Sequence, residues 1–141
     1  MSHNLAHHLL HALRFAPVFV VPLLVAMPGQ YALADGSGCS VWGINGQTCI
    51  RVKGNGLSVK SVVGYFSKRT QACNWRYEIA YTDTNGNNYD TVRGPINSGC
   101  SKSGNLPITY TPYKRARAGR VCARLYERGS YVDAACVNIT R

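Results

Sequence analysis

Four histidines, six cysteines and six carboxylates are the side chains of this 141-residue sequence best equipped for acid–base, nucleophilic or metal chemistry, and their placement divides the chain. His3, His7, His8 and His11 all precede Ala34, whereas Cys39, Cys49, Cys73, Cys100, Cys122 and Cys136 all follow it. The histidines fall in a segment (residues 1–34) with the marks of a secretory signal peptide. Arg14 leads the apolar run from Phe15 to Met27, and Ala32-Leu33-Ala34 supplies the small-residue pattern for cleavage before Asp35. The run is shorter than the roughly 20 apolar residues a membrane span needs, and Pro17 and Pro22 interrupt it, so export is expected rather than anchoring. The exported chain, residues 35–141, then contains no histidine.

That absence removes the Ser-His-Asp triad, the Cys-His pair and histidine-based ribonuclease chemistry. With no Cys-x-x-Cys pair either, a mixed zinc site has no ligand set, and neither metal nor cofactor is expected. Carboxylate chemistry remains, from Asp35, Glu78, Asp83, Asp90, Glu127 and Asp133, but a glycosidase needs two such groups facing each other across a cleft. Glu78 near Arg76 and Glu127 beside Arg128 read instead as solvated ion pairs. Gly54-Asn55-Gly56 lacks the glycine-lysine pair and helix of a phosphate-cradling loop. The expectation is a protein that binds without catalysing.

An even set of cysteines in a small exported domain implies disulfides, here three. Arg120 to Tyr126 and Tyr131 to Ile139 read as two strands around Glu127-Arg128-Gly129-Ser130. Pairing Tyr126 with Tyr131 sets Cys122 opposite Ala135. One extra residue in the turn, as a glycine bulge at Gly129, sets it opposite Cys136 and within bridging distance. Cys122 with Cys136 is therefore the first expected bridge. Proximity in sequence nominates Cys39 with Cys49 and Cys73 with Cys100 next, although loop-closure entropy discriminates weakly between short and long loops.

No helical periodicity of ordinary length occurs, and the chain reads as all-β. Thr48 to Lys53 and Leu57 to Phe66 flank the Gly54-Asn55-Gly56 turn, with Ile50 and Val52 on one face and Cys49, Arg51 and Lys53 on the other. Trp75, Tyr77, Ile79 and Tyr81 share a core face, opposite a wet face of Arg76, Glu78, Ala80 and Thr82. Asn85-Gly86 turns the chain into Asn88 to Val92. Arg93 to Pro107 reads as a long loop pinned by Cys100, and Ile108 to Tyr113 as a further strand. About six or seven antiparallel strands make residues 35–141 a single disulfide-stapled β-domain, either a small β-sandwich or a barrel.

Residues 35–141 hold fifteen Lys and Arg against six acids, a net charge of +9. The densest stretch is a tyrosine-flanked strip: Tyr110, Tyr113, Lys114, Arg115, Arg117, Arg120, Arg124 and Arg128, against the single acid Glu127. If Lys114 to Arg120 is a loop and Arg124 points outward, these charges make one patch for an acidic partner. The alternative is a merely soluble surface.

The motifs Gly46-Gln47-Thr48-Cys49-Ile50, Gly54-Asn55-Gly56-Leu57, Val121-Cys122-Ala123-Arg124 and Ala135-Cys136-Val137 resemble a group of small secreted six-cysteine proteins of streptomycetes. Within that group the chain is similar to the adaptor subunit of umbrella-toxin particles. The resemblance implies a non-enzymatic adaptor linking a toxin stalk to a lectin-bearing subunit. Only Asp35 to Gly38 precede the first cysteine, which leaves little room for an N-terminal docking arm.

The expected function is thus a secreted binding module whose partner is a protein with an acidic groove. Nucleic acid is not an expected partner, and stable membrane insertion is not expected without an amphipathic helix. Two alternatives stand beside it: an inhibitor of trypsin-like proteases acting through Lys114-Arg115-Ala116-Arg117, and a cationic toxin of cell wall or membrane.

Overall fold

The computed structural model describes residues 35–41 and 46–141; the expected signal peptide lies outside the described residues. Seven strands occur in order: β1 (Gly36–Cys39), β2 (Gln47–Asn55), β3 (Ser58–Asp83), β4 (Asn88–Arg93), β5 (Asn97–Arg115), β6 (Gly119–Glu127) and β7 (Ser130–Ile139). All pairings are antiparallel and join one sheet in the order β1-β2-β3-β6-β7, with β4 and β5 on the other edge of β3. The sheet curls into a nearly closed barrel.

β3 organises the curl. Its first half pairs with β2 and β5, and its second half with β6 and β4. Between the halves the ladder to β5 breaks from Ser67 to Ala72 and again at Asn74, whose φ of 48° is the left-handed conformation that bulges use. The strand bends there and folds back on itself. A Cβ on Gly64, in the first half, would fall 2.9 Å from Ala123 Cβ and 3.3 Å from Tyr77 Cδ1, so only glycine lets the two walls approach this closely.

The enclosed core follows the alternation in the sequence. Ile50, Val52, Val62 and Phe66 on one wall meet Trp75, Tyr77, Ile79, Tyr81, Val121 and Leu125 on the other. Phe66 and Trp75 pack edge to face with centroids 5.0 Å apart. Arg51 and Lys53 face outward as expected.

Three expectations need correction. First, the face of β3 opposite the core is not wet: Glu78 is only 5% exposed and Ala80 is fully buried. Neighbouring strands cover them, since β4 sets Arg93 beside Glu78 and β6 sets Cys122 beside Ala80. Second, the expected loop from Arg93 to Pro107 is mostly strand, because β5 begins at Asn97 and follows β3 along its length. Its serines, glycines and asparagines lie on an outer edge where no apolar alternation is required.

Third, the extra residue in the last hairpin is not in its turn. Arg128 and Gly129 both have positive φ (50° and 82°), the signature of a two-residue hairpin turn that pairs Tyr126 with Tyr131. The register shifts one step later, where Val132 is left over between Tyr131 and Asp133. Cys122 therefore does oppose Cys136.

All three bridges form as expected: Cys39–Cys49, Cys73–Cys100 and Cys122–Cys136. Each joins residues directly opposite in adjacent strands. They fix register within the ladder rather than tying one wall to the other.

The barrel closes differently on its two sides. Gly36 and Gly38 of β1 press against Val137 and the Cys136 carbonyl of β7. On the other side no Cα of β4 lies within 8 Å of one in β5. Side chains span that seam: the Tyr81 and Tyr110 hydroxyls meet at 2.8 Å, and Lys114 pairs with Asp90.

Candidate binding surface

The structure splits the basic strip. Lys114 turns inward, with Nζ on Asp90 and 4.9 Å and 5.6 Å from the ring centroids of Tyr81 and Tyr110. Burial pushes both of those phenols upward in pKa, so they stay neutral, and Tyr110 belongs to the seam rather than to a surface. Tyr113 is exposed. Arg115 ends β5 opposite Ser58, and the next residue, Ala116, is buried and donates its N–H to the Leu57 carbonyl at 2.7 Å. Arg117 donates its backbone N–H to the Tyr89 hydroxyl (2.9 Å) and holds its guanidinium 4.9 Å from that ring centroid. Arg128 sits at the tip of the β6–β7 hairpin. The segment is therefore a strand end and a pinned corner, not one open loop.

Arg120 and Arg124 are the pair the fold does bring together. They alternate along β6 with buried Val121, Ala123 and Leu125, and so project from the outer face on either side of Cys122. Neighbouring strands extend that face. In register, β3 sets Thr82 beside Arg120 and Glu78 beside Arg124, while β7 sets Asn138 beside Arg120 and Cys136 beside Cys122.

Glu78 anchors the face. Its Oε1 accepts from Arg76 Nη2 at 3.0 Å and pairs with the Arg93 guanidinium, whose Nε lies 3.1 Å away. A carboxylate buried this deeply requires such partners. Arg76 also stacks on Tyr126, which packs edge to face on exposed Tyr131 with centroids 5.9 Å apart. The expectation of a solvated Arg76–Glu78 pair understated this. Arg93 was missed because it lies on another strand, and the bulge between Tyr81 and Thr82 is part of the register that sets it opposite Glu78.

Glu127 is likewise not a solvated turn residue. Its Oε2 accepts from Lys68 Nζ (2.8 Å) and its Oε1 from the Cys73 N–H (2.9 Å), fastening the end of β6 to the bend in β3. The Lys68 hydrogen bond, helped by the Cys73 amide, holds the carboxyl below the usual glutamate range.

At the Arg120 end the face sinks into a cleft of about 450 Å³ lined by Arg120, Arg124, Cys122, Asn138, Thr140 and Asp83 among others. Asp83 is already committed. Its Oδ1 accepts the N–H groups of Asn85 and Asn87, each at 2.9 Å, and chiefly the Asn87 amide holds its pKa down. The remaining polar side chains there are the two arginines, Asn138 and threonine hydroxyls, none of them acidic.

Acids in the domain are nearly used up internally. Glu78, Asp90 and Glu127 take four cations, Lys68, Arg76, Arg93 and Lys114. Asp83 caps its turn, and Asp133 accepts from Ser40 Oγ (2.5 Å) and the Ala134 N–H. Among the described residues, the other eleven of the fifteen cations have no carboxylate within ion-pair distance. No cluster of potential metal ligands occurs among the described residues, and no helix there is long and apolar enough to cross a membrane. Comparison with protein-family models, with curated proteins and with solved structures returns no match to this chain.

Proposed function

We propose that this chain is a secreted, non-enzymatic protein-binding module, an adaptor that links components of an exported antibacterial toxin complex and meets an acidic surface through the outer face of β3, β6 and β7. The observation that carries this reading is the charge inventory. Five of the six acids are engaged within the fold, while Arg120 and Arg124 stand together on a rigid, disulfide-backed sheet without one. An acidic partner would supply the complementary charge, and electrostatic complementarity of this kind sets on-rate and specificity. Export is supported by the three bridges, which persist in oxidising compartments. The toxin-complex setting rests on the resemblance of its short cysteine motifs to the umbrella-toxin adaptors.

The pinned corner at Arg115 to Arg117 favours the adaptor over the protease inhibitor. An inhibitory loop must offer extended backbone to a protease, whereas Ala116 is buried and its N–H is spent on Leu57.

The test is a pull-down from culture supernatant with immobilised residues 35–141. A toxin stalk or lectin-bearing subunit retained in stoichiometric amount, and released by salt, is the expected result. Recovery of a trypsin-like protease dependent on Arg115 would install the inhibitor instead. Polysaccharide turnover by the purified protein, lost on Glu78→Gln, would make it an enzyme.

A further inference from the structure

The geometry points to the cleft between Arg120 and Arg124 as a carboxylate clamp, which takes acidic side chains or a terminal carboxylate from an extended acidic peptide segment. This deepens the protein-binding reading and rests on it, because it says which cations carry recognition and what they grip.

Position comes first. Arg120 and Arg124 lie four residues apart on one strand, with Cys122 between them on the same face. Alternate residues on a strand are about 6.8 Å apart, so the two backbones stand about twice that distance from each other, and both side chains line one cleft with Cys122. The floor is stiff. The Cys122–Cys136 bridge locks β7 to β6, and that register holds Asn138 beside Arg120. Ala80, fully buried below, adds no bulk.

Chemistry comes second. Guanidinium presents a planar fork that matches a carboxylate in two parallel hydrogen bonds, and Asn138 and Thr140 add a donor amide and a hydroxyl at the rim. The acids nearest by register form no ion pair with either arginine. Glu78, opposite Arg124, already receives Arg76 and Arg93, and Asp83 receives its own turn. The cleft, at about 450 Å³, gathers both arginines along one hollow, unlike the hairpin tip at Arg128 or the strand end at Arg115. Arginine is among the residues in which binding energy concentrates at interfaces. A peptide is favoured over a compact polyanion because the donors are strung along the strand direction, from Arg124 past Arg120 to Thr140, rather than gathered around one point.

The probe is a short polyglutamate peptide titrated into residues 35–141 and followed by amide chemical shifts. Shifts centred on Arg120, Arg124 and Asn138 are expected, with affinity falling about tenfold for Arg120→Ala or Arg124→Ala and holding for Arg115→Ala and Arg128→Ala. Arg124→Lys, which keeps the charge but loses the fork, should retain the fold and lie between wild type and Arg124→Ala. Equal losses from all four alanine variants would overturn the clamp in favour of diffuse charge. Tripolyphosphate binding in the cleft more tightly than the peptide would overturn it in favour of a phosphate site, and no binding would overturn it outright. The two readings fail separately. A stalk or lectin captured equally by Arg120→Ala/Arg124→Ala refutes the clamp and leaves the adaptor; polyglutamate seated in the cleft with no captured partner does the reverse.

Discussion

Glu78 and Glu127 look alike in sequence, each close to an arginine, and the structure separates them by what surrounds their oxygens. Glu127 ties the bend of β3 through Lys68 and the Cys73 amide, and Asp83 caps its turn through Asn85 and Asn87. Both carboxyls have folded pKa values below their unfolded ones. Their stabilisation is therefore complete above the unfolded carboxylate range of about 4 and is lost as pH falls through the lower folded values. Thermal midpoints should stay level from neutral pH down to about 5 and drop below about 4. Glu127→Gln should lower the neutral midpoint and flatten the acid slope; an unchanged slope would remove Glu127 from the account. Gly64→Ala should cost about 1–3 kcal/mol in urea unfolding, because the added methyl meets Ala123 at 2.9 Å. The core side chains were legible as alternation, Ile50 with Val52 and Trp75 through Tyr81. The burial of Glu78 and Ala80 was not, because it depends on Arg93 of β4 and on a disulfide between β6 and β7.

At the scale of elements, the positions of the turns were the readable part, though not the conformation of the last one. Asn85-Gly86 and Arg128-Gly129 both close hairpins. In β5 the stretch Ile108 to Tyr113 was legible, and Leu106, Ile108 and Tyr110 pack on the core, whereas Asn97 to Asn105 escaped notice because its small polar residues show no apolar alternation and its pairing is imposed by the length of β3. Pro107, Pro112 and the inward Lys114 mark β5 as a guarded edge. In the last hairpin the bulge at Val132, rather than the turn, aligns the cysteines. Deleting Val132 should therefore leave Cys122 bonded to Cys136 in non-reducing peptide maps, at some loss of stability because Val132 packs on the core. Adding a residue beside it should scramble that bridge. Replacing Cys73 and Cys100 together by Ser should cost about 2–5 kcal/mol, since their loop is the longest of the three at a separation of 27 residues.

For the molecule as a whole, the net charge of +9 over residues 35–141 was plain from composition, but its distribution was not. The strip that is continuous in sequence is divided by the fold, with Lys114 consumed at the seam and only Arg120 and Arg124 sharing a cleft. Salt should therefore act mainly on encounter. The association rate with an acidic partner should fall about tenfold or more as ionic strength rises from about 0.05 to about 0.5 M, with a smaller change in dissociation rate. Stopped-flow or surface-based kinetics would read both, and a rate insensitive to salt would deny the basic face its role. β3 gives the molecule a mechanical property as well. One covalent run from Ser58 to Asp83 passes through both walls of the barrel, so tension along its axis is carried by peptide bonds. Because β2 pairs with the first half of β3 and β6 with the second, drawing the walls apart leaves both ladders whole and must instead unbend the strand between them and pull Gly64 off Ala123, as opening a hinge strains its pin.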